Sequence, residues 1–101
     1  MRLKMGVNPI GVKPELILAI MAADAIYQKR GYECVVTSLN EGNHSNTSRH
    51  YQGMAVDLRT RDFNGAVANE ICNDLRLALG PHYLVLNESN HIHIGYQPKK
   101  P

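Results

Sequence analysis

Two short stretches carry the residue types that bind metals and move protons. Ser48-Arg49-His50-Tyr51-Gln52-Gly53-Met54-Ala55-Val56-Asp57-Leu58 holds a histidine followed by a carboxylate, and His91-Ile92-His93 stands further along the chain. Imidazole nitrogen and carboxylate oxygen are the donors zinc takes where a site must also hold water, and three protein ligands with an open fourth position make the catalytic arrangement. His50 and Asp57 supply two such donors, and a third is expected from the His-x-His segment. Imidazole also suits copper, nickel and iron, but no redox-type ligand set accompanies these residues.

The elements that must position them follow from the local pattern. Gly53 allows a turn before a short strand over residues 54–58, in which Ala55 and Asp57 point one way and Met54, Val56 and Leu58 the other. The same alternation puts His91 and His93 on one face of a last strand, residues 92–96, with Ile92 and Ile94 on the opposite face. Upstream, Pro14 and Glu15 mark a helix start, Leu16, Ile20, Ala23 and Tyr27 recur at helical spacing, and Gly31 ends the helix. Residues 33–38, with Cys34, Val35 and Val36, read as a buried strand, followed by a polar loop over 39–47. A second helix starts near residues 62–64, lines one face with Val67, Ile71, Leu75 and Ala78, and stops at Gly80-Pro81. Leu84, Val85 and Leu86 form a further strand. The order α, β, β, α, β, β predicts an α+β domain with a largely antiparallel sheet flanked by two helices.

The chain has 101 residues and a formal charge of +2. That length fits one domain, residues 1–101, with flexible ends at about 1–11 and 97–101. A chain of this size buries roughly 65% of its unfolded surface, enough for one core. Lys and Arg are scattered rather than gathered with aromatics, so no nucleic-acid partner is expected. No apolar run is long enough to span a membrane, and oligomeric state is open. Basic residues before residues 16–23 imitate a short signal peptide, but the helix signals dominate. The chain therefore reads as synthesised in the cytoplasm without a clear signal peptide. Cys34 and Cys72 lack zinc-site spacing and read as small buried hydrophobes. His82, beside Gly80-Pro81, reads as a surface histidine.

The pattern S-x-H-x-x-G-x-A-x-D resembles the first zinc-binding motif of the D-Ala-D-Ala carboxypeptidase and L-Ala-D-Glu endopeptidase family, and it is similar to the corresponding segment of the hedgehog signalling domain. The resemblance covers about residues 35–96. It implies a hedgehog-like, DD-peptidase-like fold and a zinc site whose ligands are His50, Asp57 and, by the hedgehog-like place of the second histidine in His-Ile-His, His93; the peptidase pattern, with Glu three residues before the zinc histidine, would instead pair Glu88 with His91. It further implies Glu88 as the general base, with His91 at the rim to bind substrate or stabilise an oxyanion. Peptidases of this family carry an Arg shortly before the first zinc histidine, where this chain has Leu39-Asn40-Glu41-Gly42. His44 is the candidate to take over that role, and it lacks Arg's fixed charge and forked geometry. Ser48 has no serine-hydrolase base with it and reads as a hydrogen-bonding loop residue.

The function expected is metal-assisted hydrolysis of an amide bond in peptidoglycan stem peptides or cross-links, at the bacterial cell wall, as in a lysis enzyme. Zinc lowers the pKa of bound water to about 7 and polarises a carbonyl, while a carboxylate passes the proton to the leaving amine. The competing expectation is a non-catalytic, hedgehog-like zinc-binding interaction domain, and a weaker one is a zinc hydrolase acting on another amide.

Overall fold

Helix signals in the sequence translate into two helices with differently built ends. The computed structural model describes residues 1–39 and 54–98. Helix α1, Pro14–Lys29, begins with proline at a first-turn position, where its missing N–H costs nothing, and carries Glu15 in the first turn and Lys29 in the last. Gly31, at φ 84°, takes the left-handed conformation that turns the chain away from the helix. Helix α2, Gly65–Leu79, is capped by Asn64, whose Oδ1 accepts from the Val67 N–H at 2.9 Å. Gly80, at φ 82°, follows it and donates its N–H to the Arg76 carbonyl.

Five strands form one sheet in the order β1-β2-β3-β5-β4, where β1 is Arg2–Leu3, β2 Val35–Ser38, β3 Ala55–Arg59, β4 Tyr83–Asn87 and β5 His91–Tyr96. β1 runs parallel to β2, and every other pair is antiparallel. The molecule is thus a small α+β fold with a mostly antiparallel sheet, as the element order predicted.

Both helices pack against one face of this sheet. Leu16, Ala19, Ala23 and Tyr27 of α1 and Ile71, Cys72 and Leu75 of α2 meet Val36, Val56, Leu58, Val85, Ile92 and Ile94 in a single buried cluster. Val56, Leu58, Ile92 and Ile94 are the alternate positions that period-two reasoning assigned to the core. Their neighbours, Asp57, Arg59, His91 and His93, consequently lie on the face away from the helices.

Three details depart from the sequence reading. Residues 1–11, read as a flexible end, contain β1, whose Arg2 and Lys4 amides donate to Cys34 and Val36 carbonyls at 2.9 and 2.8 Å. A two-residue strand is too short to leave a periodic signal. Ala78, placed on the buried face of α2, is exposed; the buried stripe runs through Ala68, Ile71, Cys72 and Leu75 and continues to the partly buried Leu79, because a 3.6-residue turn carries position 78 off that line. Helix α1 is also apolar on its outer side, where Ile17, Leu18 and Met21 are exposed. Both cysteines are buried and free. Burial pushes the Cys34 thiol up to about 12, the behaviour of a core residue rather than a reactive one. None of the helices among the described residues is long and apolar enough to cross a membrane.

Candidate metal centre

Register between β3 and β5 brings the sequence-predicted donors together. Asp57 pairs directly with His93, and Arg59 pairs with His91. Directly opposed residues in an antiparallel pair share a face, so Asp57, Arg59, His91 and His93 form one polar patch. His93 Nδ1 lies 3.0 Å from Asp57 Oδ1, and His91 Nε2 lies 3.6 Å from the same oxygen. The side chains of Asp57 and His93 are 16% and 19% exposed, enough cover to strengthen their interaction while leaving access from solvent.

Neighbouring residues fix which ring nitrogens face Asp57. Gly95 follows His93 on the same face, and a Cβ at Gly95 would stand 3.4 Å from His93 Nε2. The imidazole therefore lies over the glycine and turns Nδ1 toward Asp57. His91 Nδ1 is held against Asn90 Oδ1 at 2.5 Å, which leaves the Nε2 edge of the ring toward Asp57. On the other side of β3, Val36 pairs with Leu58 but Ser38 pairs with Asp57, a register shift that bulges Thr37. Bulges re-aim side chains beside functional sites. Here the Thr37 hydroxyl donates to the Asp57 carbonyl at 3.3 Å. Tyr27 adds a constraint from the core side, since its phenol donates to the Arg59 carbonyl at 2.9 Å, and burial keeps that phenol protonated.

The donor chemistry fits zinc. Zn–N and Zn–O distances of about 2.0–2.2 Å with tetrahedral angles place ligand atoms roughly 3.3–3.5 Å apart. The separations of 3.0 and 3.6 Å around Asp57 Oδ1 bracket that edge. Among the described residues no complete group of three or more His, Cys, Asp or Glu able to hold a metal is formed. The predicted ligand His50 lies outside the described residues, as do His44 and Ser48.

Glu88 sits just past the end of β4, in the connection to β5, with its backbone N–H donating to the His91 carbonyl at 2.9 Å. It is exposed and lines a hollow of about 450 Å³ with Thr60, Arg61, Phe63 and Asn64. Asp57 and His91 instead line a neighbouring hollow of about 350 Å³, with Lys4, Thr37, Arg59 and Arg61. Arg61 and Asn90 border both. Among the described residues, the structure thus brings Asp57, His91 and His93 together and sets Glu88 one hollow away.

Several site neighbours went unread in the sequence. Thr37 and Lys4 reach the site only through the pairing of β1, β2 and β3. Arg59 did carry a signal, because period-two alternation from Asp57 puts it on the same face. His82, read as a surface residue, is exposed in the turn before β4. A larger hollow of about 680 Å³ lies around Ile26, Arg30, Asp74 and Leu77, remote from the histidines in the fold, and its Arg30 is already bound to Asp74 at 2.9 Å and Glu70 at 3.3 Å. Neither a protein-family model nor a curated protein sequence matches the chain.

Proposed function

We propose that the chain is a zinc-dependent peptidase that hydrolyses an amide bond in bacterial peptidoglycan peptides. The observation that carries this reading is the Asp57–His93 contact of 3.0 Å on an accessible sheet face, with His91 beside it. His50, Asp57 and His93 are the residues that would hold zinc, the donor set the sequence resemblance implies. When bound there, zinc supplies Lewis acidity and an acidified water.

The chain's own residues do the rest. Asp57, partly covered, offers its Oδ1 to the same point that His93 Nδ1 faces. His91, its Nδ1 held against Asn90 and its Nε2 turned toward the hollow beside Asp57, suits a substrate-contacting position at the rim. Glu88 is assigned the proton transfer from water to the leaving amine, a step required because an unprotonated amide nitrogen leaves poorly. The hairpin turn gives its side chain an exposed starting point next to Asn90, which borders the Asp57 hollow.

A second reading is a non-catalytic zinc-binding interaction domain. It is favoured by the position of Glu88 in the adjacent hollow rather than in that of Asp57. One experiment separates the two: purified peptidoglycan digested with and without a chelator, followed by mass spectrometry of the new ends. A peptidase yields chelator-sensitive new amino termini, and Glu88→Gln retains about one zinc per chain while losing at least a hundredfold in rate. Zinc binding without any new ends selects the binding domain, and no zinc at all defeats both readings.

A further inference from the structure

We propose that the hollow formed by Lys4, Thr37, Arg59, Arg61, Asn90 and His91 beside Asp57 is a binding subsite for a small oxyanion, a carboxylate or phosphate group. The proposal needs neither bound metal nor hydrolysis. If the peptidase reading holds, this is where an acidic group of the substrate docks.

Three cationic side chains from separate parts of the fold converge on one space of about 350 Å³. Lys4 arrives from the segment after β1, Arg59 from the end of β3 and Arg61 from the turn that follows. Bringing like charges together raises the free energy of the empty site and stores it as affinity for an anion. Among the described residues the other arginines are already engaged. Arg2 binds Glu33 at 3.1 Å, Arg30 binds Asp74 at 2.9 Å, and Arg76 donates to the Val85 carbonyl at 2.8 Å. Lys4, Arg59 and Arg61 form no ion pair among the described residues. Among the described residues Asp57 is the one carboxylate lining the hollow, and its Oδ1 faces the two histidines. Glu33, the acid that feels Arg59 from nearby, is committed to Arg2.

The backbone that presents these cations is anchored. The Tyr27 phenol holds the Arg59 carbonyl, Thr60 is buried, and the Lys4 amide is bonded to Val36. Fixed cations lose less freedom on binding than free surface ones. Arginine also presents a planar fork that matches both carboxylate and phosphate, which lysine does not. Two arginines and a lysine around a hollow of this size suit one anionic head group, not an extended polyanion.

The test uses the full chain, stripped of metal by chelator, at low ionic strength. Inorganic phosphate and acetate are titrated separately while backbone amide and arginine Nε–H signals are followed by NMR. Saturable shifts are expected at Arg59, Arg61, Asn90 and His91, with Arg2 and Arg30 unmoved. Tighter phosphate identifies a phosphate subsite and tighter acetate a carboxylate subsite. The double variant Arg59→Gln/Arg61→Gln should weaken binding at least tenfold. The single variant Arg61→Gln, at an exposed turn position whose side chain forms no ion pair among the described residues, should weaken it severalfold and keeps the test valid if the double variant unfolds. Arg2→Gln should change nothing. Shifts no larger at the hollow than at Arg2 and Arg30, or affinity unchanged in Arg61→Gln, overturn the proposal. Because the metal-free protein is used, loss of peptidase activity in a separate assay bears only on the proposed function.

Discussion

Replacing Asp57 by Asn keeps the size and one acceptor oxygen of the side chain and removes its charge. In the metal-free protein the bond from His93 Nδ1 to residue 57, 3.0 Å in the native chain, can persist to the amide oxygen. A hydrogen bond to a charged group contributes about 1.5–3 kcal/mol and a neutral one about 0.5–1.5. The metal-free variant should therefore lose only about 1 kcal/mol, read from urea unfolding in the presence of EDTA. Zinc binding should suffer much more. Zinc-finger sites bind with about 10–16 kcal/mol over four ligands, or about 2.5–4 kcal/mol per ligand. At 1.4 kcal/mol per decade, Asp57→Asn should weaken zinc by about 10²–10³-fold. Competition against a chromogenic chelator at neutral pH measures this directly. His93→Ala should weaken zinc to a similar degree and His91→Ala by less than tenfold, since His93 makes the closer approach to Asp57. Zinc affinity unchanged in Asp57→Asn, with the fold intact, would refute the metal centre. A larger loss in His91→Ala than in His93→Ala would refute the ligand assignment.

Other outcomes follow from the packing. Gly95→Ala should be nearly neutral, because its Cβ meets His93 Nε2 at ordinary contact distance, whereas Gly95→Val should push the imidazole aside and weaken zinc about tenfold in the same competition assay. Ile71→Ala, at a fully buried position of α2, should cost about 2–5 kcal/mol in urea unfolding without changing the metal-to-protein ratio of the folded fraction. With its thiol raised from 9.0 to about 12, Cys34 should react with iodoacetamide at pH 8 roughly a thousandfold more slowly than an ordinary thiol until denaturant is added. The sign for stability follows from the same shift: the folded state resists forming the thiolate, so stability is full below pH 9 and falls as pH rises from 9 toward 12. Alkaline melts that show no such decline, with Cys34→Ala as control, would contradict it.

Much of the framework was legible because each signal is local. Pro14, Gly31, Asn64 and Gly80 set the helix ends by their own backbone and side-chain chemistry. Alternation in Val56-Asp57-Leu58 and in His91-Ile92-His93-Ile94 put aliphatics toward the helices and the chemistry toward the open face. Where the reading failed, the deciding contact was remote or the signal too short. β1 exists because Val35 and Val36 offer a parallel edge to Arg2 and Leu3. Ala78 fell outside the core because its helix packs through 71, 72 and 75.

What the sequence by itself determined is which residues share a face, since a period of two is a property of each strand alone. It also supplied the metal-binding donor types Asp57, His91 and His93, and Glu88 next to the last strand. Tertiary structure alone decided that Asp57 stands opposite His93, that the Thr37 bulge braces it, that Gly95 turns Nδ1 inward, and that Lys4, Arg59 and Arg61 close around one hollow. Strand register is fixed by the summed packing of two chain segments far apart in sequence, and a shift of one residue would send every one of these side chains to the other face.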